Sequence, residues 1–171
     1  MMTSAVATFV LLGECPNQAV EKHPNLWLRP DHSGVRHTAN RLRDLAGWTN
    51  EQYLEVFGVR DNVARYCVRR WGRRAKESAT QVATQVLTRC WANGLAGVLC
   101  LGRRSANAMF GTNEAEPCVW HSARDFFSGQ PCGARVAWIP HTSGLCRWWS
   151  DAVNRERGRA FLSTMLQEVF L

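Results

Sequence analysis

Lysine is almost missing from this chain. Of its 21 basic residues only Lys22 and Lys76 are lysines, and the rest are arginines. No apolar run is long enough to span a bilayer, which argues against a membrane-crossing helix. The apolar segment Ala5 to Leu12 has neither a basic leader nor a small-residue cleavage site. It therefore reads as a buried strand rather than a signal peptide, and the expected location is the cytosol. Cys-x-x-Cys pairs are absent, as are internal repeats, low-complexity tracts and linkers. With 171 residues, the expected organisation is one domain covering 1–171.

What is present is a formal charge of +7 carried by Arg. The guanidinium fork matches phosphate and stacks on bases, so the bias suits nucleic acid better than a generic solvated surface. The seven cysteines are odd in number and are accompanied by no secretion signal, which argues against a disulfide framework. Several lie inside apolar runs such as Val98-Leu99-Cys100-Leu101, so they read as buried, reduced thiols. Cys118, His121, Cys132 and Cys146 can be drawn together as a zinc set, but their spacing matches no compact zinc module, and no metal is expected.

Strands and helices alternate along the chain. Ala5–Leu12 is a continuous apolar run ending at Gly13. Val35, Ala39, Leu42 and Leu45 recur at helical spacing before Gly47, and Thr49 is placed to cap a short helix through Phe57. Val59 to Trp71 mixes apolar and basic residues around a second strand, with Asn62 following it. A long helix is expected from Arg73 to Asn93, with Ala75, Ala79, Val82, Val86, Leu87, Cys90 and Trp91 as its apolar stripe. Gly97–Leu101 is a second buried run, followed by a short helix through Phe110. Pro117–Trp120 and Ala134–Ile139 are further strand candidates, and a last helix carries Phe161, Leu162, Met165, Leu166 and Val169. This order predicts an α/β fold, a three-layer α/β/α sandwich with a mostly parallel, about four-stranded central sheet. In such sheets the functional crevice lies beyond the carboxyl ends of strands.

Two loops qualify for that crevice. One reads Gly13-Glu14-Cys15-Pro16-Asn17, and the other reads Pro140-His141-Thr142-Ser143-Gly144-Leu145-Cys146-Arg147-Trp148-Trp149. Together with Leu99-Cys100-Leu101-Gly102-Arg103-Arg104, they resemble the uracil-DNA glycosylase superfamily. That superfamily carries a Gly-acid/Asn-x-Pro-Gly loop after its first strand and a His-Pro-Ser loop after its last. The similarity runs in order through nearly the whole chain, and it implies a divergent, single-domain member.

The resemblance implies a role for each matching residue. Glu14 falls where the thermostable, single-domain branch carries its catalytic acid. A carboxylate there would stabilise the oxocarbenium character of the sugar and orient water. Helix or loop capping is the structural alternative for Glu14. His141 would donate a hydrogen bond to the departing pyrimidine's carbonyl oxygen, for which a neutral imidazole suffices. Asn62, with Asp61 as second choice, would read the base's hydrogen-bonding edge. Trp27 would stack on the extruded base, and Asn17 would sit beside it. Ser143 would hold a phosphate, Leu145 would fill the gap left by the flipped base, and Arg147 would contact a phosphate or the opposite strand. Packing is the alternative for Leu145, and Trp148 and Trp149 read as core or groove wall.

The sequence also departs from the pattern. Asn17 replaces the usual Gly, Thr142 the usual Pro, and Leu26-Trp27-Leu28-Arg29-Pro30 the Pro-Phe-Val-Gly stretch. These changes surround the pocket, so they bear on which base is accepted: uracil, a deaminated purine or a modified pyrimidine of the kind found in some phage genomes. The cysteine positions do not match the branches that bind an iron–sulfur cluster, so no cofactor is expected. The expected partner is DNA, with no membrane and a monomeric chain. Two other readings stay open: a DNA-binding relative that does not cleave, and a thiol hydrolase pairing Cys15 with His141. A lyase mechanism would need a lysine at the pocket, and neither Lys22 nor Lys76 lies in a motif.

Overall fold

The computed structural model describes residues 8–15, 28–33, 37–64, 68, 70–111, 115–122, 134–142 and 146–171. The first strand, β1 (Phe9–Gly13), is buried along its whole length. It is followed by α1 (Thr38–Ala46), α2 (Asn50–Val56) and β2 (Val59–Asn62). Then come α3 (Arg73–Ala92), β3 (Gly97–Leu101) and α4 (Arg103–Phe110). The chain closes with β4 (His121–Ser122), β5 (Arg135–Ile139) and α5 (Ala152–Phe170).

The sheet order is β2-β1-β3-β5-β4. β2, β1, β3 and β5 are mutually parallel, and the two-residue β4 runs antiparallel along the edge of β5. The fold is thus the expected α/β class, with five strands where about four were expected, and the candidate strand Pro117–Trp120 is not a strand. Pro117 and Cys118 form a turn, and the pairing begins only at His121. Proline has no N–H for a ladder, which is consistent with a start after it.

Strand alternation divides the core. Phe9, Leu11, Leu99, Leu101, Ala137 and Ile139 pack with α1, α2 and α5 on one face. Val10, Leu12, Val98, Cys100, Val136 and Trp138 pack with α3 and α4 on the other. Because β1, β3 and β5 are covered on both faces, their sequences read as unbroken apolar runs.

Local chemistry sets the helix boundaries. Thr49 accepts from the Gln52 backbone N–H at 3.1 Å, while the Gln52 side chain accepts from the Thr49 N–H at 2.9 Å, a reciprocal cap for α2. Gly47 ends α1 in the left-handed region at φ 72°. The Asp151 carboxylate accepts from the Asn154 N–H and opens α5. In α3 the buried stripe is Ala79, Ala83, Val86, Leu87 and Cys90. Trp91, expected on that stripe, is 57% exposed, because it lies at the edge of the stripe in the last turn. No helix among the described residues is long and apolar enough to cross a membrane.

A single 3-10 turn, Arg147–Ser150, joins the last loop to α5. Trp149 is buried and donates its indole N–H to the Pro140 carbonyl at 3.0 Å, which ties that loop to the helix. Gly158 sits directly under Trp149, and a Cβ at 158 would collide with the indole ring. Gly158→Ala gains about 1 kcal/mol of helix propensity but overpacks this contact. A net loss of about 1–3 kcal/mol is expected, read as a lower Tm in thermal unfolding. A neutral or stabilising result would show that the Trp149 seat is slack.

Candidate active site

The parallel order places β1 and β3 side by side at the centre of the sheet. From β1 the chain goes by α1 and α2 to β2 on one side, while β3 lies on the other, so a topological switch point falls between their carboxyl ends. Both loops at that point carry residues of interest. Glu14 directly follows β1, and Gly102 and Arg104 follow β3.

Glu14 reaches across the switch point. Its carboxylate lies against Gly102, which has φ 94° and no room for a Cβ. The Arg104 backbone N–H donates to Glu14 Oε1 at 3.4 Å, and Arg104 Nη1 lies 3.8 Å from Oε2. The carboxylate therefore rests at the start of α4, where unpaired N–H groups favour negative charge. The Glu14 side chain remains 20% exposed, so it is open to the crevice as well as engaged. The backbone behind it is fixed, since the Val63 and Ala64 N–H groups donate to the Gly13 and Glu14 carbonyls at 3.0 and 3.1 Å.

His141 comes from the other end of the chain. It follows β5 and Pro140, and the Gly102 N–H donates to the Ile139 carbonyl at 2.9 Å, so the β3 and β5 exits are stitched together. The next residue, Thr142, is buried and donates its hydroxyl to the Thr38 carbonyl at 3.1 Å. Thr142 replaces a proline of the resembled motif, and this bond to the start of α1 holds the loop in its place.

His141 and Glu14 share one electrostatic environment. Burial pushes the His141 pKa below the ordinary imidazole value of 6.5; the Glu14 carboxylate opposes that shift, and the Arg41 guanidinium adds to it. Burial and Arg41 together win, so the imidazole is neutral at pH 7 and keeps one N–H as a donor. The unfolded chain holds that proton more tightly than the folded one does. The resulting stability is present above pH 6.5 and is lost as pH falls through the folded value.

Asn62 is the last residue of β2 rather than a residue beyond it, and it pairs with Gly13 in the parallel register. It is only 5% exposed, and its Oδ1 lies where a Cβ on residue 13 would be. Gly13 is thus the space that lets this amide sit beside Glu14. Asp61 turns its carboxylate to the Asn62 N–H at 2.8 Å. Arg147 is exposed at the start of the 3-10 turn, with no ion pair among the described residues. Trp27, Asn17, Ser143 and Leu145 lie outside the described residues. Of the zinc set, Cys132 also lies outside them, and burial pushes the Cys118 thiol up to about 11.

Two neighbours of the site were given no role by the sequence, although Arg104 ends one of the resembling stretches. Arg41 lies one turn along α1 from Thr38, and its Nε is buried without a hydrogen-bond partner among the described residues. Arg104 connects Glu14 to Trp71, with its guanidinium 5.4 Å from the indole centroid. An arginine in an amphipathic helix ordinarily reads as part of a solvated face, so the pattern gives neither side chain a partner.

The shared cleft is open to direct measurement by NMR titration of His141. Arg41→Gln removes a repelling cation and raises the His141 pKa, whereas Glu14→Gln removes an attracting anion and lowers it. If neither substitution moves the titration, the two loops do not converge.

No protein-family model and no curated protein sequence matches this chain.

Proposed function

We propose that this chain is a DNA glycosylase of the uracil-DNA glycosylase type, which flips a uracil or modified pyrimidine out of DNA and hydrolyses its N-glycosidic bond. The observation that carries this reading is that Gly102, against which the Glu14 carboxylate lies, also binds the carbonyl of Ile139 two residues before His141, so that the two loops meet at the switch point. Two groups of this kind suit a bond that breaks by separating charge. The carboxylate faces the sugar as it gains oxocarbenium character, and the neutral imidazole N–H faces the oxygen of the leaving base. Water attacks C1′ as the C1′–N bond breaks, the bonding pair leaves with the base, and Glu14 takes the proton of the attacking water. Asn62, an amide with both donor and acceptor, reads the base's edge. The charge of +7, almost all Arg, supports DNA as the partner of a monomeric, cytoplasmic chain.

One observation favours a second reading. The Glu14 carboxylate already meets the Arg104 N–H and guanidinium, so it also serves as a cap for α4. In a DNA-binding relative that does not cleave, that structural duty would be its whole role.

A panel of oligonucleotides, each bearing one altered base and treated with alkali after incubation, separates the two. It should include uracil, deaminated purines and bulky modified pyrimidines; the last would fit a defence activity against phage DNA. Base release is expected from at least one substrate, and Glu14→Gln and His141→Ala should each slow it by about 10²–10³-fold. No release at high enzyme concentration would leave the non-cleaving reading in force. Full activity in both variants would remove these two residues from the mechanism.

A further inference from the structure

A cavity of about 300 Å³ lies between α3 and α4, away from His141. Trp71, Lys76, Ala79, Thr80, Arg104 and Asn107 line it. It adjoins an open groove along the first turns of α3, where Arg73 pairs with Glu77 at 3.7 Å. Its chemistry is mixed in an informative way. The Trp71 indole N–H is buried and has no acceptor among the described residues. Arg104 holds its guanidinium 5.4 Å from the Trp71 centroid, and Lys76 is an exposed ammonium at the rim. Asn107 adds an amide, and Ala79 supplies apolar floor.

A simple anion would use the two cations but leave the indole idle, and an apolar ligand would leave the cations idle. An aromatic group bearing a negative charge uses both. The volume lies at the small end of ligand cavities, enough for one base with its phosphate. We propose that the α3–α4 cavity is a nucleotide-binding site: the base packs against Trp71 and Asn107, and the phosphate lies between Lys76 and Arg104. Stacking on an aromatic face and a charge-assisted contact to phosphate are the two usual sources of affinity for a single nucleotide. The site is joined to the first, because Arg104 is also the cation beside Glu14. An occupied cavity draws Arg104 toward the phosphate and loosens its hold on the carboxylate. A free nucleotide and a nucleotide within a DNA strand present the same base and phosphate to these contacts.

The test uses the whole chain and unaltered nucleotides, so it stands or falls independently of base excision. Deoxyadenosine 5′-monophosphate, deoxyadenosine, inorganic phosphate and an adenine trinucleotide are titrated by NMR. The Trp71 indole N–H is assigned by its loss in Trp71→Phe, since the chain has eight tryptophans. The monophosphate should shift that resonance saturably and bind more tightly than the nucleoside or phosphate alone. Lys76→Glu, at an exposed position, should weaken it by about tenfold. A shift with the trinucleotide only assigns the site to a DNA strand, and equal affinity for both assigns it to free nucleotide. The proposal is overturned if neither probe moves the Trp71 resonance, or if Lys76→Glu leaves the affinity unchanged.

Discussion

Where β1 and β3 leave the sheet side by side, the space between them is filled by a carboxylate lying on a residue with no side chain. Gly102 has φ 94° and leaves no room for a Cβ beside Glu14 Oε1. That contact lets the β1 loop cross to the start of α4, and the Gly102 N–H meanwhile binds the carbonyl of Ile139 at the end of β5. Three strand exits are thereby fixed relative to one another. Gly13 has the same function on the other flank, since its missing Cβ makes room for the Asn62 amide. The crevice is thus defined by two absent side chains, with a carboxylate and an amide in the space they leave.

The electrostatics of the crevice follow from its construction. Glu14 is held at a helix start by the Arg104 N–H and lies beside the Arg104 guanidinium. His141 is partly buried and faces Arg41 as well as Glu14, and its proton is disfavoured. The neutral imidazole keeps an N–H to donate, and the carboxylate beside it offers acceptor oxygens. Arg41 acts on His141 from α1 and Arg104 meets Glu14 from α4, so two helices give the crevice positive surroundings.

Much of the architecture was legible in sequence because burial on both faces leaves strands with no polar residues. Phe9 to Leu12, Gly97 to Leu101 and Val136 to Ile139 could be read that way, and the Thr49 and Gly47 boundaries followed from capping chemistry. The edge of the sheet was harder to read. β4 is two residues long and is defined by its pairing with β5, so no local pattern marks it. Trp91 was misplaced for a related reason: its spacing fits the apolar stripe, but nothing packs over that side of the last turn of α3, and it stays exposed. In the candidate site, Glu14, His141 and Asn62 were proposed because they match positions of the resembled motifs. Arg41 and Arg104 were missed because their importance lies in what they face, and facing is a tertiary property.

The sequence by itself determined the layers, the parallel sheet and the positive charge, since these depend on periodicity and composition summed over many residues. Only the tertiary structure decided that Glu14 meets the start of α4, that Thr142 ties the last loop to α1, and that a cavity opens between α3 and α4. The physical reason is that each of these joins elements distant in the chain. The free energy of such a contact depends on distance and exposure in the folded molecule, and neither is encoded in the spacing of residues along the backbone.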